Sequence, residues 1–198
     1  MTDVLLVRHA PTDWNELGRL QGRIDRPLSP SGVARLREWR LPRAFGDAPV
    51  ACSPLRRARQ TAERFGQVVV EPRLVEMAWG AWEGQRLADL RAADPVRMAT
   101  LEQDGVDFRP DGGESPREVM ARLASLFAEL VPTGRRVLVT HKGVIRAALA
   151  LATGWAMTSK PPVRLRSDDA LALRLDRLGR PSPEVAVLSL VERVTCGS

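Results

Sequence analysis

The sequence predicts an α/β fold built on a mainly parallel sheet. Strand-like and helix-like segments alternate along the chain, and the strand-like segments are short apolar runs such as "VLLV" at residues 4–7. Alternation of this kind is typical of strand–helix–strand connections. Continuous apolar runs indicate strands that are covered on both faces. For a chain of 198 residues we expect one domain that spans residues 1–198.

Prolines and glycines divide the first half of the chain. The segment 9–32 is predicted to be loop-like because it holds three prolines and three glycines. The predicted elements are, in order, a strand at 3–8, a basic amphipathic helix at about 32–45, a strand at 49–53, a helix from Pro54 to the stop signal at Gly66, and the strand "VVVE" at 68–71.

The strongest helix signal lies in the second half. Ser115 is the expected N-cap, Pro116 occupies the first helical position, and Glu118 completes a capping box. The other predicted elements are short helices at about 86–103, the strand "RRVLVTH" at 135–141, a helix from Gly143 that ends at Gly154, and two final strands at 170–175 and 185–192 around the turn "GRPSP".

The charge of the chain is carried almost entirely by arginine. The net charge is +6, and only Lys142 and Lys160 are lysines, so 28 of the 30 basic residues are arginines. Most of them are spread through helices among acidic residues, which favours a solvated surface. Nucleic-acid binding is not expected, since basic runs and aromatic platforms are missing and the chain has no tyrosine.

Targeting signals and cysteine usage favour the cytoplasm. No apolar run approaches the roughly 20 residues that span a bilayer, and "MTDVLLV" lacks the features of a signal peptide. Cys52 and Cys196 form no metal motif. They could pair, but a reducing compartment is the simpler expectation. The chain is expected to be a monomer or a homodimer without a membrane partner.

Both histidines of the chain follow predicted strands. His9 ends the run "VLLVRH" and His141 ends "VLVTH". In open parallel sheets, ligands bind beyond the carboxyl ends of the strands. If the two strands are neighbours, the histidines meet at one crevice. Arg8 lies at the mouth of the first strand, where an arginine is costly unless it holds an anion.

Six motifs in this order resemble the histidine phosphatase superfamily, in the branch of cofactor-dependent phosphoglycerate mutase and the small phosphatases. They are "RHAPTDWN", "GRLQGRIDRPLSPSG", "SPLRRARQTA", "LVEMAWGAWEG", "GGES" and "VTHKGVIRAAL". The resemblance covers about residues 4–150. It implies a three-layer α/β/α sandwich of the phosphoglycerate mutase type, with no cofactor and no metal.

The resemblance also implies the roles of the site residues. His9 would be the nucleophile that becomes phosphorylated, and Glu76 would donate a proton to the leaving group. Should Glu76 prove to be architectural, Glu83 is our next candidate for the proton donor. The phosphoryl group would be held by Arg8, Arg57 and His141, with a hydrogen bond from Asn15, and Gln21 and Gly22 would border the phosphate. Arginine can supply charge to a phosphoryl group through planar donors, and no spacing of metal ligands is evident.

Residues beside these positions have less certain roles. Arg56 and Arg59 are expected to be solvated or structural, since Arg56 and Arg57 point about 100° apart on a helix. Trp79 and Trp82 are expected in the core, with a place in the pocket wall as the alternative.

Three positions depart from the family pattern. Ala10 and Lys142 stand where glycine is usual after each histidine, and Pro11 replaces a frequent acidic residue. Ala10 adds a methyl group that could alter the shape of the pocket. Lys142 could favour a substrate with a second anionic group. No proposed catalytic residue is missing, so activity is expected.

The leading functional hypothesis is a metal-independent phosphomonoesterase, a hydrolase of the histidine acid phosphatase type. It would act on a small phosphorylated metabolite such as a sugar phosphate, a nucleotide or α-ribazole phosphate. A phosphoglycerate mutase would use the same site and return the phosphate to its substrate; family mutases are usually longer than this chain. A non-catalytic phosphate-binding module is the third and least favoured alternative, because His9, Glu76 and His141 are all retained.

Overall fold

Six strands form one mixed sheet in the computed structural model, which describes residues 1–131 and 134–191. The order across the sheet is β3-β2-β4-β1-β5-β6. The strands are β1 (Thr2–Arg8), β2 (Val50–Cys52), β3 (Val68–Val70), β4 (Arg136–Thr140), β5 (Asp169–Leu175) and β6 (Ala186–Ser189). The pairings β3–β2, β2–β4 and β4–β1 are parallel, and β5 is antiparallel to both of its neighbours. Five described strands therefore run in one direction, which confirms a mainly parallel sheet.

Seven described helices accompany the sheet. They are α1 (Asp13–Glu16), α2 (Pro30–Leu36), α3 (Arg56–Ala62), α4 (Leu87–Ala93), α5 (Pro95–Gln103), α6 (Pro116–Leu130) and α7 (Lys142–Thr153). None of the helices in the described part of the chain is long and apolar enough to cross a membrane.

Alternate residues of β1 face two separate cores, which makes the fold three-layered. Val4 and Leu6 pack in a core with α6 and α7, whereas Leu5 and Val7 pack in a core with α2 and α3. All four side chains are fully buried. Burial of such a side chain contributes about 1.5–3 kcal/mol. Since successive residues of a strand point to opposite faces, one continuous apolar run supplies both cores, and the predicted three-layer α/β/α sandwich is confirmed.

The capping signals place helix ends accurately. The Ser115 hydroxyl accepts from the backbone N–H of Glu118 at 3.3 Å, and the Glu118 carboxylate accepts from the Ser115 N–H at 2.9 Å. At the end of α7, Gly154 adopts the left-handed conformation with φ of 71°, which glycine reaches without a steric penalty. Both of these predicted ends are confirmed.

Two predictions in the first half are wrong in detail. The helix expected at about 32–45 is only α2, because the chain turns to bury Trp39 and the Arg40 N–H donates to the carbonyl of Leu190 at 2.7 Å. Pro42 then disfavours helical backbone before it, and a short 3₁₀ turn follows at Arg43–Phe45. The segment predicted as loop also holds α1. Glu192 of the last predicted strand and Cys196 lie outside the described residues.

The register of the sheet places both histidines at one edge. Arg8 of β1 is paired with Thr140 of β4, so His9 and His141 both follow directly at the carboxyl ends of adjacent parallel strands. Strand β2 pairs with β4 on its other side, and Ser53 lies one residue beyond it. Cys52, the residue before Ser53, is buried and has no disulfide partner among the described residues, and burial raises the pKa of its thiol to about 11.

Candidate active site

The two histidine rings lie against each other at the edge of the sheet. Their centroids are 5.2 Å apart with planes at 57°. The backbone N–H of His9 donates to the carbonyl of Thr140 at 2.9 Å. This bond extends the hydrogen-bond ladder between β1 and β4 by one residue. The meeting of the histidines, predicted from their strand-end positions, is therefore a direct product of strand pairing.

The hydrogen bonds of His9 define its tautomer. Its Nδ1 lies 2.7 Å from the Ala10 carbonyl oxygen. A carbonyl only accepts, so Nδ1 carries the proton and Nε2 keeps its lone pair. The Ala10 N–H donates to Thr61 Oγ1 at 2.9 Å, and Thr61 Oγ1 donates to the Arg57 carbonyl at 2.7 Å. This chain of bonds fixes the backbone that orients the ring.

Burial keeps His9 neutral. The residue is only 4% exposed, and desolvation lowers the pKa of its imidazole well below the usual value. The positive charges of Arg8 and Arg57 lower this pKa further. A neutral imidazole with a free Nε2 is the form of histidine that can act as a nucleophile.

His141 is fully buried and is held through Ser53. Its Nε2 lies 2.7 Å from Ser53 Oγ. That hydroxyl accepts from the Leu55 N–H at 3.3 Å, so its own proton is free to go to Nε2. His141 Nδ1 is buried without a partner in the described structure. With Ser53 donating, Nδ1 carries the proton and can donate to an anion. Burial, and then Arg57, lowers the pKa of His141 well below its usual value.

Arg57 is a buried cation whose position is set by a loop. Its two terminal nitrogens donate to the carbonyls of Gly22 and Ile24 at 2.8 and 2.9 Å. Its Nε is buried and has no partner among the described residues. Burial lowers the pKa of Arg57, and the carboxylate of Glu76 opposes this change. An arginine still keeps its charge in proteins.

Arg8 has a similar environment at the end of β1. It is half-buried, and its Nε also has no partner within residues 1–131 and 134–191. Burial lowers the pKa of Arg8, again opposed by Glu76. Two guanidinium groups therefore retain unused donors beside His9.

Glu76 is the carboxyl group buried at the site. It is 8% exposed, and its two oxygens accept from the backbone N–H groups of Met77 and Gly143 at 2.9 and 3.3 Å. Desolvation raises the pKa of Glu76, against the lowering effects of Arg57 and these two bonds. A Cβ at position 143 would lie 2.5 Å from Glu76 Oε1, so any larger residue there would displace the Glu76 carboxylate.

Glu83, considered from the sequence as the next candidate for the proton donor, holds a loop in the structure. Its oxygens accept three backbone N–H groups, from Arg23 at 2.9 Å, Trp79 at 3.1 Å and Ile24 at 3.2 Å. These bonds hold the loop whose carbonyls orient Arg57. Glu83 therefore supports the loop as an acceptor and is a poor candidate for a proton donor.

Asn15 and the loop at Gln21 complete the rim. Asn15 Oδ1 accepts from the backbone N–H and hydroxyl of Thr12, both at 3.1 Å, in a capping box that starts α1. Its amide nitrogen remains available at the cleft. The Gln21 side chain is buried, and its Oε1 lacks a partner in the described structure. Gly22 has φ of 53°, and a Cβ there would collide with the Glu83 carboxylate.

A cleft of about 600 Å³ opens over His9. All of the predicted site residues line it except His141, which lies fully buried against His9. Trp79 also lines the cleft. Trp82 is buried, and its ring centroid lies 6.2 Å from that of Trp79. Arg56 and Arg59 are exposed and outside the cleft, as expected. Among the described residues, no group of three or more His, Cys, Asp or Glu side chains is arranged to hold a metal ion.

Ser53 and Thr61 were missed from the sequence. Both belong to the motif "SPLRRARQTA" and are fully buried. A serine directly after a buried strand was the available signal for Ser53. Thr61 lies one helical turn after Arg57, on the same face of α3, which was the signal for a residue that acts with it.

Comparisons with known proteins find a family model and relatives that are similar to this chain. A family model described as the histidine phosphatase superfamily (branch 1) matches residues 4–177. Glucosyl-3-phosphoglycerate phosphatase of Mycobacterium tuberculosis (strain CDC 1551 / Oshkosh) is 36% identical over 166 residues, which are 74% of this chain and 73% of that protein. The probable phosphoglycerate mutase GpmB of Enterobacter sp. (strain 638) is 29% identical over 184 residues, which are 89% of this chain and 85% of that protein.

A solved structure gives the same result for the fold. The mycobacterial glucosyl-3-phosphoglycerate phosphatase in complex with VO3 superimposes with a TM-score of 0.78 at 27% identity, and the match covers 97% of this chain and 100% of that one.

The loop support by Glu83 can be tested by hydrogen exchange. In Glu83→Ala, the amides of Arg23 and Ile24 lose a charged acceptor worth about 1.5–3 kcal/mol, so their exchange should accelerate by about tenfold to a hundredfold. Peptides that cover residues 20–28 should report this, while α6 stays protected. Glu63→Ala, at an exposed position, is the matched control. Unchanged exchange in residues 20–28 would show that Glu83 does not support the loop.

Proposed function

The chain belongs to the histidine phosphatase superfamily (branch 1), and we propose that it is a metal-independent phosphomonoesterase of the histidine acid phosphatase type. Its substrate is a small phosphorylated metabolite. The observation that carries the proposal is the neutral His9, whose Nε2 is free at a cleft flanked by the unused donors of Arg8 and Arg57.

The reaction divides into two displacements at phosphorus. In the first, the lone pair of His9 Nε2 forms a bond to phosphorus while the ester P–O bond breaks, and Glu76 gives its proton to the departing oxygen. In the second, a water molecule attacks the phosphohistidine and passes a proton to the Glu76 carboxylate. The P–N bond breaks, inorganic phosphate leaves, and His9 returns to its neutral form with Nδ1 still bonded to the Ala10 carbonyl.

Charge on the transferring phosphoryl group is matched by donors from the protein. Arg8 and Arg57 supply positive charge, His141 Nδ1 supplies a neutral N–H, and the Asn15 amide supplies another. Phosphoryl transfer depends mostly on such positioning and charge stabilisation. Guanidinium groups perform both tasks through planar donors, which supports a mechanism without a metal ion. The mycobacterial relative has been solved in complex with VO3 and with inorganic phosphate, and this supports a phosphate-binding function for the present chain.

A phosphoglycerate mutase is the second candidate, and one observation favours it. The relatives named probable phosphoglycerate mutase are 29–31% identical. Chain length does not separate the two activities, because this chain covers 85% of such a relative. The relative named as a phosphatase has the higher identity of 36%. We therefore prefer hydrolysis.

Phosphate release in the presence of a chelator tests the proposed function. We expect the enzyme to release inorganic phosphate from members of a metabolite panel in excess EDTA, at the same rate as without it, because arginines supply the charge. With 3-phosphoglycerate, we expect phosphate release and no 2-phosphoglycerate. Activity that disappears in EDTA and returns with magnesium would contradict the metal-free mechanism. Formation of 2-phosphoglycerate at a rate above phosphate release would establish the mutase instead.

Trapping of the intermediate tests the nucleophile. His9→Ala should lose at least about 10³-fold in turnover, since removal of a nucleophile costs this much or more. Wild type quenched early with a ³²P-labelled substrate should carry an acid-labile, base-stable label on the peptide that contains His9. Circular dichroism of the variant controls for folding. A label on another residue would refute the assignment.

The basicity of the leaving group tests Glu76. Glu76→Gln should lose about 10²–10⁴-fold in kcat/KM on an alkyl phosphate, whose alkoxide needs a proton. The loss should be below about tenfold on an aryl phosphate with an acidic phenol, since no proton is then needed. Glu38→Gln, at an exposed position, should act like wild type. Equal losses on the two esters would make Glu76 a structural residue.

The pH profile gives the same test a second readout. His9 acts when neutral, and its lowered pKa moves the acid limb below the usual range of histidine. Glu76 acts when protonated, and its raised pKa moves the alkaline limb above the usual range of glutamate. Activity on the alkyl ester should therefore be highest at mildly acidic pH and fall as Glu76 loses its proton. Glu76→Gln should flatten this fall, although the ionisation of the substrate stays the same in both enzymes.

A further inference from the structure

One residue of β4 is bonded to the backbone on both sides of the proposed reaction. Thr140 is the last residue of that strand and is fully buried. Its carbonyl accepts from the backbone N–H of His9 at 2.9 Å. Its hydroxyl donates at 2.7 Å to the carbonyl of Leu74, which lies two residues before Glu76. Thr140 therefore joins the strand end that carries the nucleophile to the turn that precedes the carboxyl group.

The turn before Glu76 is held by a second side chain. The guanidinium of Arg122, on α6, donates through Nη1 to the carbonyl of Arg73. The same guanidinium forms a bidentate ion pair with Glu114, from Nε at 3.0 Å and from Nη2 at 3.1 Å. The side chains of this pair are only 15% and 13% exposed. Two consecutive carbonyls, those of Arg73 and Leu74, thus accept hydrogen bonds from largely buried side chains on different elements.

Little chain separates these carbonyls from the carboxyl group. Residues Pro72–Leu74 form a 3₁₀ turn, and Val75 continues in an extended conformation with φ of −59° and ψ of 148°. Consecutive Cα atoms are about 3.8 Å apart, so a displacement of the Leu74 carbonyl passes to Glu76 through a single intervening residue. The place of Glu76 in the cleft therefore depends on where this turn is held.

The carboxyl group itself is held by the main chain. Glu76 accepts from the backbone N–H groups of Met77 and Gly143, and in the described part of the chain no side chain donates a hydrogen bond to it. Gly143 lies three residues after Thr140, in the first turn of α7. The corner between β4 and α7 thus contacts the His9 backbone, the turn before Glu76 and the Glu76 carboxylate.

We propose that Thr140, assisted by Arg122, is a positioning residue that sets the distance between the proton donor Glu76 and the nucleophile His9. This inference rests on the proposed phosphatase function. Neither Thr140 nor Arg122 lines the cleft over His9, so each acts through the turn and not on the substrate. A proton donor works only within hydrogen-bond reach of the departing oxygen, and a misplacement of about 1 Å can cost about a hundredfold in rate.

Removal of the Thr140 hydroxyl tests the proposal. Valine resembles threonine in shape and suits a strand, so Thr140→Val removes the donor with little change in packing. On an alkyl phosphate, kcat should fall by about five- to fiftyfold, a part of the roughly 10²–10⁴-fold that a general acid contributes. KM, and turnover of p-nitrophenyl phosphate, should change by less than about threefold, because the phenol leaves without a proton. Thr140→Ser keeps the hydroxyl and should restore turnover of the alkyl ester.

A double-mutant cycle separates positioning from a general loss of structure. In the Glu76→Gln background there is no proton to deliver, so the addition of Thr140→Val should lower kcat on the alkyl ester by less than about twofold. The same loss in both backgrounds would show that Thr140 acts independently of Glu76 and would overturn the proposal. A Thr140→Ser enzyme as slow as Thr140→Val would also overturn it.

Thr153→Val is the matched control. Thr153 ends α7, and its hydroxyl donates to the carbonyl of Leu149 at 2.8 Å. The bond is of the same kind as that of Thr140 but lies outside the cleft over His9. The control should turn over both esters like wild type. A selective loss on the alkyl ester in Thr153→Val would contradict the assignment of this effect to Thr140.

Arg122→Gln extends the test to the neighbouring carbonyl and replaces Thr140→Val if circular dichroism shows that variant to be unfolded. It should show the same selective loss on the alkyl ester, which disappears in the Glu76→Gln background. Arg117→Gln, on the same helix and at an exposed ion pair with Asp107, is its control. Equal losses on both esters in Arg122→Gln would overturn the positioning role.

A failure of the phosphatase function has a separate readout. If wild type hydrolyses neither ester, hydrogen exchange of the Met77 and Gly143 amides reports on the carboxyl group directly, since both donate to Glu76. In Thr140→Val these amides should exchange at least about fivefold faster, while Thr140→Ser and Thr153→Val should match wild type. Unchanged exchange at both amides would overturn the proposal.

Discussion

The parallel pairing of β1 with β4 is the constraint on which the site depends. Arg8 and Thr140 are paired in register, and each is followed directly by a histidine. The two histidine rings therefore meet, with their centroids 5.2 Å apart. A slip of one residue would turn every side chain of β1 to the opposite face, and Val4 to Val7 would leave their two cores. The same apolar contacts that stabilise the sheet therefore also fix the relative position of the two rings.

A second level of organisation connects the cations to this edge. Arg57 is held by the carbonyls of Gly22 and Ile24, and that loop is held in turn by Glu83. The carbonyl groups of the loop thus direct the buried charge of Arg57 toward the cleft. The carboxylate of Glu83, which anchors the loop, lies 60 residues after Arg23 in the sequence. Since the two terminal nitrogens of Arg57 are already held by these carbonyls, a ligand finds the guanidinium group oriented before it binds, which reduces the cost of binding.

The sequence predicts the positions of the strand-end residues better than their supporting contacts. His9, His141 and Arg8 follow from apolar runs and strand ends, and Ser115 follows from local capping chemistry. The length of α2 could not be predicted, because Trp39 is buried through a contact near Leu190, far away in the chain. Likewise, the bond between Ser53 and His141 and the loop support by Glu83 join segments whose proximity is decided only by the tertiary fold.

Two neutral, buried histidines also affect how the folded state responds to acid. Desolvation places the pKa of His9 and of His141 below the value of about 6.5 that an unfolded chain would show. As the pH falls through that value, each histidine binds a proton in the unfolded chain but not in the native protein. The free energy of unfolding then falls by up to about 1.4 kcal/mol per pH unit for each ring. Glu76, whose pKa is raised, works in the opposite direction and favours the native state at low pH. The neutral form of His9 that the proposed mechanism requires is therefore maintained at the expense of stability in acid.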